Sequence, residues 1–114
     1  MSDQEPIALA PRDLLILSVL STGPLHGYGI VRAVEERSDS GVLLDPANLY
    51  RVLRRMQREG WIREANDSDE DGRRRTFALT TTGTAVLRAE VVRLERLLDH
   101  VRPALAGGGP GEGA

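Results

Sequence analysis

The chain has 114 residues, a hydrophobic fraction of 40% and an aromatic fraction of only 4%, which fits one domain with an aliphatic core. It contains no cysteine, which excludes a disulfide framework, a thiolate metal site and a cysteine nucleophile. The formal net charge is −2, and all 15 basic residues are arginine, so placement rather than total charge decides any affinity for nucleic acid.

Residues 1–10 hold Pro6, two acids and no clear period, and are expected to be a flexible N-terminus. The start lacks the charged-then-apolar layout of a signal peptide. The longest apolar run, 14–17, is far short of the ~20 residues a bilayer span needs. A soluble, cytoplasmic protein without a membrane partner is the expectation. A first helix starts at Pro11, where a missing N–H costs nothing, and runs to Leu20. It is apolar nearly all round, the mark of a helix buried on most sides. After Ser21-Thr22-Gly23-Pro24, a second helix fits 26–37, with Ile30, Val31 and Val34 on one face.

The third helix carries the clearest start signal: Asp45 to cap it, Pro46 for its first position, and Gly60 just past Glu59 to end it. Leu49, Val52, Leu53 and Met56 follow the spacing i, i+3, i+4, i+7 of a helix with one buried face. Residues 61–65 read as a short strand and 75–79 as its return, joined by a long polar, acidic tip. A last helix begins after Thr80. Its Leu87, Val91, Leu94, Leu98 and Val101 form a heptad seam suited to pairing with a second copy, which Pro103 is expected to interrupt before Leu105.

This order of elements defines an α+β, mainly α fold: a winged helix-turn-helix over 11–80 with an additional C-terminal dimerisation helix over 81–103. A disordered Gly-rich tail over 104–114 would follow. The third helix is then the recognition helix and the hairpin the wing.

No catalytic or metal constellation emerges. His26 and His100 lie far apart, each without a partner at ligand spacing; His26 reads as making a local hydrogen bond. The acidic run Asp67, Asp69, Glu70, Asp71 fails the EF-hand pattern, because its twelfth position is Ala78. The chain is expected to be no enzyme and to take no cofactor or metal. Between Pro46 and Arg63, by contrast, five arginines face one acid, Glu59. Such a face attracts phosphate, although a solvated surface helix has the same composition. Ala47 and Asn48 in the first turn are small enough for close approach to a groove; Asn48 suits an adenine edge and Arg51 a guanine edge. A second basic cluster, Arg73-Arg74-Arg75, sits on the return side of the hairpin, which a winged helix places beside the recognition helix. That juxtaposition favours the nucleic-acid reading.

Five segments in order resemble the PadR family of regulators. They are His26-Gly27-Tyr28-Gly29-Ile30 with Glu35-Glu36-Arg37, Asp45-Pro46-Ala47-Asn48-Leu49-Tyr50, Leu53-Arg54-Arg55-Met56, Glu59-Gly60-Trp61-Ile62, and 72–80 from Gly72 through Phe77 to Thr80, with Gly83 at the start of the final helix. Two positions depart from the family pattern. Arg51 stands where the family has Pro, and Thr76-Phe77 where it has an aromatic pair. The resemblance implies a homodimer held by the last helix, binding to an inverted repeat in double-stranded DNA, and repression by occluding a promoter. It implies that Tyr50 contacts the DNA backbone. With the basic clusters, the expected DNA-binding set is Ala47, Asn48, Tyr50, Arg51, Arg54, Arg55, Arg73, Arg74 and Arg75. Tyr28 reads as core filler and Trp61 as the anchor of the wing base. Some small family members bind flat aromatic compounds between the dimer halves, which makes a small hydrophobic effector a further expected partner. The competing reading is a winged-helix adaptor for protein contacts or ligand sensing, with weak DNA affinity.

Overall fold

The computed structural model describes residues 8–65 and 75–106. The acidic wing tip, Arg73, Arg74, the first seven residues and the tail from Gly107 lie outside the described residues. The elements run α1 (Pro11–Leu20), β1 (Leu25–His26), α2 (Gly27–Arg37), α3 (Pro46–Arg58), β2 (Ile62–Ala65), β3 (Thr76–Leu79) and α4 (Thr81–Ala106). This is the mainly helical winged fold that the sequence pattern predicts.

Pro11 opens α1 because its ring cannot donate to a preceding carbonyl and does not have to there. The helix buries Ile16, Leu17, Val19 and Leu20, and also one acid, Asp13. Two residues in left-handed conformation, Asp39 (φ 53°) and Ser40 (φ 62°), turn the chain after α2; short polar side chains tolerate that region best after glycine.

The expected hairpin is part of a three-stranded antiparallel sheet, ordered β1-β3-β2. In β1, Leu25 pairs with Phe77 and His26 with Thr76. The second helix therefore starts at Gly27 rather than His26, with His26 as its cap position; the imidazole makes no capping hydrogen bond there. Across the other ladder, Ile62 faces Leu79 and Glu64 faces Phe77. Phe77, Ile62 and Trp61 are buried against Leu17, Ile30, Val34, Leu53 and Met56, so helices and sheet share one core. Trp61 is tied on both sides: its N–H donates to the Met56 carbonyl (2.9 Å), and its carbonyl accepts from the Thr80 N–H (3.0 Å).

Thr80 Oγ1 accepts from the Gly83 N–H (2.9 Å) and so caps α4. Two terminal expectations are corrected. Residues 8–10 are not free, since the Leu9 N–H donates to Glu90 on α4 (3.1 Å) and its side chain packs against the core. The last helix also continues through Pro103 to Ala106. Residues 95–106 are exposed, so the carbonyl that loses its partner to Pro103 is open to water, and the interruption is tolerated there.

Candidate nucleic-acid interface

Three local devices position α3. Asp45 Oδ1 accepts from the Ala47 N–H (3.1 Å), Pro46 fills the first helical position, and Leu49, Val52, Leu53 and Met56 are buried. With that stripe inward, the helix period turns Ala47, Arg51, Arg54 and Arg58 outward, spaced 4, 3 and 4; all four are exposed. The strip has no acidic member, and its N-terminal end is the end of a helix dipole that favours an anion.

The two flanks of the strip are occupied differently. On one, the Tyr50 ring lies 6.3 Å from that of Phe77 at an interplanar angle of 58°, which ties α3 to the wing strand β3. The tyrosine stays 41% exposed. On the other flank are Asn48 and Arg55. Arg55 donates to the buried Asp13 Oδ2 (2.5 Å), and its guanidinium lies 5.8 Å from the centre of the Trp61 ring. Asp13 Oδ1 accepts a second time, from Arg12 Nε (2.9 Å). Of the expected DNA-binding residues, the structure therefore gathers Ala47, Asn48, Tyr50, Arg51, Arg54 and Arg55 on one helix. Arg55 among them already has an anionic partner. In the wing, Arg75 is exposed and pairs with Glu64 across the hairpin (3.3 Å); Arg73 and Arg74 lie outside the described residues.

Three residues beside this surface are outside the expected DNA-binding set: Arg12, Asp13 and Arg58. Arg58 counts in the basic face expected of the third helix, and it stands seven residues after Arg51, so two helical turns return it to the same side. Asp13 carried a weaker signal, a lone acid in a helix otherwise apolar on that side. Tyr28, read as core filler, is 70% exposed and lies under Arg32, whose guanidinium is 5.9 Å from the ring centre. Trp61, 5% exposed, does sit at the wing base.

On α4, Val91, Leu98 and Val101 are 42%, 46% and 47% exposed, a stripe of apolar side chains open to solvent in the single protomer. Leu94 is half-buried. Leu87 is also half-buried, because it packs against the protomer's own core and so serves the monomer. Between these lies an unexpected ion pair. Glu90, 1% exposed, accepts from Arg93 Nε and Nη2 (both 2.7 Å) and from the Leu9 N–H. The arginine hydrogen bonds hold the Glu90 carboxyl below its usual range; burial opposes this shift and the Leu9 N–H assists it. The same hydrogen bonds raise Arg93.

Among the described residues, no group of three or more His, Cys, Asp or Glu side chains could hold a metal ion. No described helix is long and apolar enough to cross a membrane.

Residues 16–89 match the transcriptional regulator PadR-like family. An uncharacterized 37.1 kDa protein in transposon Tn4556 of Streptomyces fradiae is 39% identical over 88 residues, which span 77% of this chain and 24% of that protein. The transcriptional regulator YqjI of Escherichia coli (strain K12) is 26% identical over 94 residues, 82% of this chain and 44% of its own length. The chain thus spans less than half the length of these relatives. A solved PadR family transcriptional regulator from Eggerthella lenta superposes with a TM-score of 0.65 at 28% identity, covering 83% of this chain and 84% of that one.

Proposed function

The chain belongs to the PadR-like family of transcriptional regulators, and from that premise we propose that it is a cytoplasmic, homodimeric repressor of transcription that binds double-stranded DNA. The observation that carries this reading is the exposed strip Ala47, Arg51, Arg54 and Arg58 on a helix whose opposite face is wholly buried. A helix held this way enters the major groove as a rigid body. Arg51 and Arg54 present forked donors that match the two acceptors of guanine, and Asn48 can pair with adenine. Tyr50, on α3 beside the strip, and Arg75, in the wing, are the proposed contacts to the sugar–phosphate backbone; Arg73 and Arg74, next in the sequence, belong to the same proposed wing contact.

Pairing through Val91, Leu94, Leu98 and Val101, with Leu87 at the edge of the seam, would relate two recognition helices by a two-fold axis. Such a dimer reads an inverted repeat and represses by covering a promoter. A small hydrophobic effector entering between the paired helices would alter the separation of the two reading heads and release the DNA.

The test is a gel shift of the full chain on its own upstream DNA at two salt concentrations. Binding at low salt that weakens steeply at higher salt is expected, because each neutralised phosphate releases counterions. No shift at low salt would leave the adaptor reading in its place.

A further inference from the structure

We propose that the flank of α3 facing α1 is a DNA backbone-phosphate site made by Arg12, Arg51, Arg55 and Arg58 and organised by the buried carboxylate of Asp13. The site rests on the DNA-binding reading above and adds to it residues from a second helix. A recess of about 260 Å³ opens between the two helices, lined by Arg12, Asn48, Arg51, Val52, Arg55 and Arg58. Its lining holds four guanidinium groups, one amide and no acid. Among the described residues, the anion in contact lies beneath it: Asp13, 5% exposed, engages Arg12 and Arg55. Four positive charges against one negative leave an excess of three at the mouth.

Two features make this more than a chance cluster of surface arginines. Arg12 occupies the first turn of α1, where the helix dipole opposes a cation, and it is held there by its hydrogen bond to the buried Asp13. In addition, Asp13 and the face of Trp61 hold Arg55, while Asp13 holds Arg12; side-chain freedom that a phosphate contact would otherwise have to remove is already restricted. A guanidinium has five N–H donors. Arg55 and Arg12 each use one on Asp13, which leaves the others for a phosphate oxygen. Asp13 is thus a positioning residue. Arg51 belongs both to this recess and to the outward strip, so a phosphate bound here lies at the edge of the groove that the strip enters. Such a contact fixes register on the duplex without reading bases.

The experiment titrates the full chain, Arg12→Gln, Arg58→Gln and, as a control at the far end of α4, Arg102→Gln. Two duplexes are used, one recovered by selection from a random pool and one unrelated, across about 50 to 200 mM salt. Arg12→Gln and Arg58→Gln are each expected to lower the slope of log affinity against log salt by about one, and to weaken both duplexes by the same factor. The control leaves both unchanged. Arg58 makes no ion pair among the described residues, so its variant keeps the test open if loss of the Arg12–Asp13 pair disturbs α1. Unchanged slopes in both variants, with normal binding by the parent, would overturn the phosphate site and leave DNA binding intact. Weakening confined to the selected duplex would overturn it as well, by making these residues base readers. Failure of the parent to bind either duplex at low salt would remove the DNA reading itself, and this site with it.

Discussion

The Tyr50 hydroxyl occupies the space that a side chain on Gly27 would need: a Cβ at Gly27 would fall 2.4 Å from the tyrosine oxygen and 3.0 Å from Cζ. The glycine at the start of α2 therefore leaves room for the hydroxyl end of the α3 tyrosine whose ring tilts toward Phe77. Gly83 is tighter still, since a Cβ there would meet the backbone carbonyl oxygen of Trp61 at 2.0 Å.

These two close approaches predict an order of damage. Gly27→Ala can be relieved by moving the far end of one side chain, so a loss of about 1–3 kcal/mol is expected, as for ordinary overpacking. Gly83→Ala has to move the backbone where α4 meets the wing base, and should cost more than Gly27→Ala. Urea denaturation midpoints of the two variants measure the difference. Equal losses would contradict the packing described for α4.

Arg51→Ala and Arg54→Ala should each weaken binding to a selected operator by about 1–3 kcal/mol and relax sequence preference at one base position. Both side chains are exposed, so thermal stability should stay within about 0.5 kcal/mol of the parent. Fluorescence anisotropy with the operator and with single-base variants reads both effects. If neither substitution changes affinity, the DNA face lies elsewhere.

Glu90 makes stability depend on acid pH. Its carboxyl is depressed in the folded chain, chiefly by the Arg93 hydrogen bonds, so the folded state binds the proton more weakly than the unfolded state does. The stabilisation is therefore complete above the ordinary glutamate value of about 4.3 and is lost as pH falls through the lower folded value. Glu90→Gln should be less stable than the parent at pH 7, and its stability should fall less steeply below about pH 4. Parallel pH profiles of the two proteins would show that Glu90 carries none of this dependence.

If the chain pairs through α4 as proposed, Leu98→Glu combined with Val101→Glu should halve the mass measured by light scattering. Both side chains are nearly half exposed in the single protomer, so circular dichroism should still report the helices. Operator affinity should drop sharply, because one reading head has to bind without the other. A dimer mass kept by the variant would place the contact on another face, and a monomer mass in the parent would remove the proposed pairing.

Much of the fold is written locally in the chain. Pro11, the Asp45-Pro46 pair and Gly60 mark helix ends through backbone chemistry that needs no distant partner, and α1 and α3 begin at those marks. The stripe Leu49, Val52, Leu53, Met56 is buried as its period predicts, which by exclusion turns Arg51, Arg54 and Arg58 outward. What the tertiary structure alone decided involves partners far away in sequence. A two-residue strand such as β1 has no periodicity to read; it exists because β3, some fifty residues later, supplies its hydrogen bonds. Arg55 carries the same charge as Arg54, and only the approach of α1 separates them by setting Asp13 against one and leaving the other in solvent. Leu87 fits the seam by spacing, yet the first turns of α4 lie on the protomer's own core and claim it. Glu90 is charged, but Leu9 and Arg93 close over it and make burial affordable. Periodicity tells which side of a helix is apolar; which neighbour that side meets depends on how the whole chain packs.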